Sequence, residues 1–253
     1  DIGRSIWQRR WVLGEFVIRN LRIDLTQNTE GAWQLSGVAT PDSSDPADLN
    51  ALYQTFLSFT ELELQGVAIN VHPLNGDSFS FVQGTASVRN QGQNHYLHVN
   101  ASLEGNPEPL SISFELQGED LNQASGTLHI LVPNADYSQV FAGQDLGALA
   151  ILGLEGSGQV WIGVEAGQLS AATVEFDVPG LTISGKRREQ ARQTESEQLG
   201  LTNLKGMARL SHNSEESVWE LALANMSVTY RSDSWQSFNA HVLFTPDQLV
   251  EIT

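Results

Sequence analysis

Apolar and polar residues alternate along most of this chain, with the two-residue period of a strand buried on one face. HYLHVNASL places Leu97, Val99, Ala101 and Leu103 on one side, and PLSISFELQG does the same with Leu110, Ile112, Phe114 and Leu116. Leu128, Ile130 and Val132 continue the pattern, as do Val160, Ile162 and Val164, and then Val174 and Phe176. Turn-rich stretches such as EGNPEP separate the segments, which predicts a mainly β fold built on an antiparallel sheet with one apolar face. Two stretches depart from the strand period. DPADLNALYQTFLS offers Asp45 as an N-cap and Pro46 at the first helical position, followed by a stripe of Leu49, Leu52, Phe56 and Leu57. NADYSQVFAG, from Asn134, predicts a second and shorter helix. GKRREQARQTESEQ, from Gly185, has no apolar residue except Ala191 and predicts a mobile exposed loop over 185–199.

One feature of the alternation is irregular. In FVIRNLRIDL the apolar parity is even at Phe16 and Ile18 and odd at Leu21, Ile23 and Leu25. The same slip recurs around Gly66, between Leu62 and Leu64 on one side and Val67, Ile69 and Val71 on the other. It recurs around Gly180 in FDVPGLTIS and around Asn225 in LALANMSVTY. Asn or Gly stands at the slip each time, and these residues reach positive φ most easily. One extra residue there is what a β-bulge inserts, bending the strand while returning the later apolar residues to the original face. Two near-equal short spacings and one long one separate the four copies, which predicts a repeat-like array of strands rather than unrelated segments.

Composition narrows the chemistry. The 253 residues have no cysteine, so a disulfide framework, a thiolate nucleophile and Cys-ligated zinc are excluded. No apolar run approaches ~18 residues, the length that spans a bilayer. The formal charge is −17 and is unevenly spread. Arg4, Arg9, Arg10, Arg19 and Arg22 crowd the start and could sit near anionic headgroups. From Ile23 to Gly185 the only base is Arg89, against nineteen acids, a field that repels nucleic acid.

Catalytic constellations are not legible. Of the six histidines only His95 and His98 are close, and strand alternation puts them on opposite faces. Glu119 and Asp120, and Asp42, Asp45 and Asp48, read as turn and capping carboxylates. The run around Ser157 lacks the order of a nucleophile elbow, and no phosphate loop or dinucleotide fingerprint occurs. The expectation is therefore a non-enzyme without metal or cofactor. Trp33, Trp161 and Trp219 fall within strand alternations and are expected to be packed rather than free to stack on sugars.

The stretch RRWVLGEFVIRNLRIDLTQNTEGAWQLSG, with Gly31, Trp33 and Leu35 in a G-x-W-x-L return strand, resembles the opening of the AsmA-like superfamily. The order that follows is similar to its YhdP branch: a helix at DLNALYQTFLS, a strand at FTELELQGVAINV, then a meander to GSGQVWIGVEAGQLSAATVEF. The resemblance implies that residues 1–253 are one continuous segment of a longer protein, tethered to the inner membrane of a Gram-negative bacterium by an anchor outside this stretch. It implies a long, curved, taco-like sheet in the periplasm, with one or two short covering helices. Its apolar groove would carry phospholipid acyl chains towards the outer membrane, with other envelope proteins as further candidate partners. The residues expected to line that groove are Leu62, Leu64, Val67, Ile69, Val71, Leu97, Val99, Leu110, Ile112, Phe114, Leu128, Ile130, Val160, Ile162, Val174 and Phe176. The alternative is a structural or sugar-binding β-sandwich scaffold in the envelope, in which the same apolar face is a dry core.

Overall fold

The computed structural model describes residues 13–29, 33–36, 54, 57–141, 149–185, 198–213, 218–245 and 248–252. The alternating segments become strands of one 14-stranded sheet, open and curved. β1 (Leu13–Arg19) and β2 (Arg22–Gln27) lie end to end along one edge of β4 (Phe59–His72), and β3 (Trp33–Ser36) turns back on β2. From β4 onward every strand pairs antiparallel with its sequence neighbours. β5 (Phe79–Gln91), β6 (Asn94–Leu103), β7 (Pro109–Gln117) and β8 (Ser125–Asp136) lead to a four-residue helix, α1 (Ser138–Phe141). β9 (Leu149–Glu165), β10 (Gln168–Gly185), β11 (Gln198–Asn213), β12 (Val218–Tyr230), β13 (Asp233–Thr245) and β14 (Gln248–Ile252) complete the meander. All the major contacts between strands join sheet neighbours, as in a quasi-one-dimensional array. Among the described residues no second layer of strands lies over either face.

Three departures from the sequence expectation have physical causes. β1 and β2 pair with β4 in parallel, not antiparallel. The stretch between Gln27 and Phe59 is long enough for the crossover of a dozen or more residues that parallel neighbours require. The second helix begins later than its pattern suggests. Asn134, Ala135 and Asp136 stay in β8 because Ala135 and Asp136 pair with Gly156 and Glu155. α1 starts only where the Asp136 carboxylate accepts hydrogen bonds from the Ser138 hydroxyl and, at 2.8 Å, the Ser138 amide. Those two bonds hold the Asp136 carboxyl below its ordinary range, against the opposing effect of desolvation. The expected loop is also shorter, since Gly185 pairs with Leu149 and Gln198 and Leu199 pair with Ser184 and Ile183. Residues 186–197 lie outside the described residues. So does most of the first helix, of which Gln54 and Leu57 are described and are helical.

The parity slips at Gly66, Gly180 and Asn225 are bulges, and the slip at Asn20 is the break between β1 and β2, across which the register on β4 is kept. Asn20, Gly66 and Asn225 have φ of 57°, 67° and 52°. Strand register shifts beside Gly66 and Asn225. At the fourth copy the register shifts between Asp177 and Gly180, yet Gly180 is not left-handed. Pro179 occupies the slip, and its ring keeps φ negative. Three further left-handed residues, Gln83, Asn203 and Ser237, stand beside these on neighbouring strands. Together they form two creases. One runs through Asn20, Gly66 and Gln83 on β1–β2, β4 and β5; the other runs from the shift near Ala135 in β8 through Pro179, Asn203 and Asn225 to Ser237. Between them, β6, β7 and the first part of β8 pair without any shift.

Asn20 and Gly66 abut in the first crease: the Asn20 amide donates to the Gln65 carbonyl at 2.8 Å, and the Ala68 amide to the Leu21 carbonyl at 2.9 Å. A Cβ on Gly66 would meet Asn20 Oδ1 at 3.0 Å. Gly66→Val is expected to cost at least about 1–2 kcal/mol, the penalty of a left-handed L-residue. Gly66→Asn should cost less, because Asn tolerates that conformation. Urea unfolding of the two variants checks this, and equal losses would show that the crease does not depend on the left-handed backbone.

Candidate functional site

Residues directly opposite each other in a sheet share a face, so the register assigns the faces strand by strand. Starting from Ile18 on β1, one row runs Leu64, Ala86, Val99, Ile112 and Ile130 across β4 to β8. It continues through Val160, Val174, Ala208 and Leu223 to Ala240 on β13. Every position in it is apolar. A parallel row runs from Leu62 through Val88, Leu97, Phe114, Leu128 and Ile162. Beyond the first crease, Val67 faces Gly84, Ile69 lies between Ile23 and Phe81, and Val71 lies between Leu25 and Phe79. Leu110 is opposite Ala101, and Phe176 is opposite Gly158 and Gly206. All sixteen residues proposed from the alternation therefore stand on one side of the sheet, and the bulge at Gly66 keeps Val67, Ile69 and Val71 there with Leu62 and Leu64.

This face is only partly covered. Ile112, Ile130, Val160, Ile162, Val174 and Phe176 are half-buried. Against the first crease, Leu62, Leu64, Val67, Ile69, Val88 and Val99 help to line an open depression of about 230 Å³. Exposed Phe238, opposite Met226, and exposed Trp235, opposite Val228, extend the apolar surface onto β13.

One end of the face is closed. Leu57, Leu116 and Ala124 form a buried cluster, with Phe114 and Leu121 packed against it, and Leu116 is only 2% exposed. The Gln54 side chain donates to the Glu119 carbonyl at 2.6 Å and fixes the helix there. Phe114 and Leu116 are therefore under cover, although no helix is near them in sequence. His95, opposite Leu116, is also buried, its Nδ1 at 2.8 Å from Asn90 Oδ1, and Asn90 Nδ2 donates to the Phe59 carbonyl at 2.7 Å.

The opposite face is polar. Arg89 pairs with Glu61 at 3.2 Å, His98 Nδ1 lies 2.9 Å from Ser113 Oγ, and Lys205 pairs with Asp177 at 2.7 Å. A shallow depression of about 450 Å³ lies among Glu61, Arg89, Tyr96, His98, Glu115 and His129. His95 and His98 are thus on opposite faces. No group of three or more His, Asp or Glu side chains suited to a metal occurs among the described residues. Trp161 corrects the expectation that it would be packed: it lies on this polar face, 37% exposed, and stacks on His129 with ring centroids 5.1 Å apart.

Gln83, Asn203 and Ser237 carry weaker versions of the same signal. Leu199 and Leu201 precede Asn203 and Leu204; Phe79 and Phe81 precede Gln83 and Gly84; Trp235 precedes Ser237, Phe238 and Ala240. Each keeps the slip but replaces an apolar residue by Gly, or the Asn or Gly by Gln or Ser.

Among the described residues no helix is long and apolar enough to cross a membrane. No curated protein and no solved structure matches the chain. A family model described as YhdP protein matches residues 1–253 of the chain, which makes it a member of the YhdP family of AsmA-like envelope proteins.

Proposed function

We propose that this chain is the part of a periplasmic, inner-membrane-tethered protein in which an apolar β-groove carries phospholipid acyl chains between the inner and outer membranes. The observation that carries the reading is the row from Ile18 to Ala240, apolar on each strand it crosses and left half-open among the described residues. A large apolar face without a covering layer is the mark of a surface that binds something apolar. Each buried methylene contributes about 0.8 kcal/mol, so acyl chains are held firmly while any one chain can replace another. Neighbouring strands continue the row without a polar step, so a chain can move along it at nearly constant energy. Membership of the YhdP family supports the same reading.

A photoreactive amino acid at Ile130, on the open part of the row, is expected to cross-link phospholipid in living cells. The same probe at His98, on the polar face, should capture none. Equal capture at both positions, or capture at neither, would remove the groove reading. The rival, a sugar-binding sheet, has one observation in its favour, the exposed Trp161 stacked on His129. Loss of activity in cells on Trp161→Ala, with lipid capture at Ile130 absent, would favour it.

A further inference from the structure

We infer, building on the acyl-chain reading, that the groove from β4 to β9 selects phospholipids whose headgroup carries an ammonium and no net charge over anionic ones. The first observation is the placement of the cations. Arg19, Arg22, Arg89, Lys205 and Arg209 all alternate with inward apolar residues and stand on the polar face. The remaining described base, Arg231, lies in the β12–β13 turn, with its guanidinium over the Tyr230 ring at 4.9 Å. From β4 to β9 no described Lys or Arg therefore faces the groove to neutralise a phosphate. Arg89, the only base from Ile23 to Gly185, is already paired with Glu61 on the far side.

The second observation is what the groove's edges carry instead. With acyl chains on the apolar face, headgroups come to the strand ends. At one end these hold Glu119, Asp120 and Glu165; at the other they hold Asp77, Glu104, Glu108 and Asp136. All but Asp120 are exposed. Backbone bonds tie the turns into two continuous margins. Gly118 N donates to the Gln93 carbonyl at 3.0 Å and Gly167 N to the Ala124 carbonyl at 2.8 Å on one side. Glu104 N donates to the Ser80 carbonyl at 2.9 Å on the other, where Asn106 Nδ2 also reaches the Asn134 carbonyl. The negative field is felt locally: burial, and then the Glu108 charge, push the Tyr137 hydroxyl up.

A phosphodiester brings one negative charge to these margins. A headgroup ammonium cancels it and finds carboxylates to approach, whereas an anionic lipid adds like charge to theirs. The carboxylates are solvated, so their effect extends only about 8 Å at physiological salt and about 3 Å at 1 M.

The test uses purified full-length protein and one population of phosphatidylcholine vesicles. These carry equal trace amounts of isotope-labelled phosphatidylethanolamine and phosphatidylglycerol, so both lipids leave the same surface. Bound lipid is extracted and counted by mass spectrometry. Phosphatidylethanolamine is expected to load in excess by about threefold or more at low salt, the scale of a few exposed charge interactions, with the excess collapsing at 1 M salt. The triple variant Glu104→Lys, Glu108→Lys and Glu119→Lys should abolish or reverse it. Equal loading at both salt concentrations, or an excess of phosphatidylglycerol, overturns the selectivity and leaves the acyl-chain reading standing. Loading of no lipid, phosphatidylcholine included, overturns both.

Discussion

Ile112→Asp is expected to abolish phospholipid loading while the protein still folds. Ile112 sits between Val99 and Ile130 in the continuous row, half-buried and clear of the Leu57 cluster. Its side chain keeps access to water in the unloaded protein, so a carboxylate there stays hydrated and the stability loss should remain near the ordinary 0.5–3 kcal/mol, i.e. about that of most substitutions. A passing acyl chain would have to strip that hydration, which costs several kcal/mol, roughly 2–7 for an uncompensated polar group and more for a charge. Because the row is one path, a single charge interrupts transport along its whole length. Lipid content by mass spectrometry and thermal melting, measured on the same preparation, check both halves. Normal lipid content would refute the path, and a collapsed melting transition would mean that this face is a closed core.

The largest stability effect is expected one strand end away. Leu116→Ala should destabilise the protein by about 2–5 kcal/mol, the range for a leucine removed from a site that cannot collapse. Leu116 is the one large side chain that is fully buried among the described residues, and Leu57 and Ala124 enclose it. Leu57→Ala should remove part of the same packing from the helix side. The double variant should then lose less than the sum of the two, since residues in contact couple by about 0.5–3 kcal/mol. Additive losses in urea unfolding would mean that the helix does not close this end of the sheet. Taken with Ile112→Asp, two positions four residues apart on one strand are expected to behave oppositely, one limiting function and the other stability.

Strand alternation and the slips at Asn20, Gly66, Gly180 and Asn225 were enough to give a mainly β, repeat-like sheet and to assign sixteen residues to one face. Both are local properties: side-chain direction follows chain period, and left-handed backbone follows from a missing or compact polar side chain. Gln83 and Ser237 give a weaker signal because neither residue type favours positive φ; both are left-handed beside Gly66 and Asn225 on adjacent strands. Chain pattern also could not choose between an open groove and a sandwich, because an apolar face has the same sequence whether water, lipid or another sheet meets it. Among the described residues, tertiary structure shows one layer of strands, with the major contacts between sheet neighbours. It also set β1 and β2 parallel to β4, brought Leu57 over Phe114 and Leu116, and turned Trp161 outward onto His129. These depend on which distant segments meet, and a two-residue period carries no information about partners so far away along the chain.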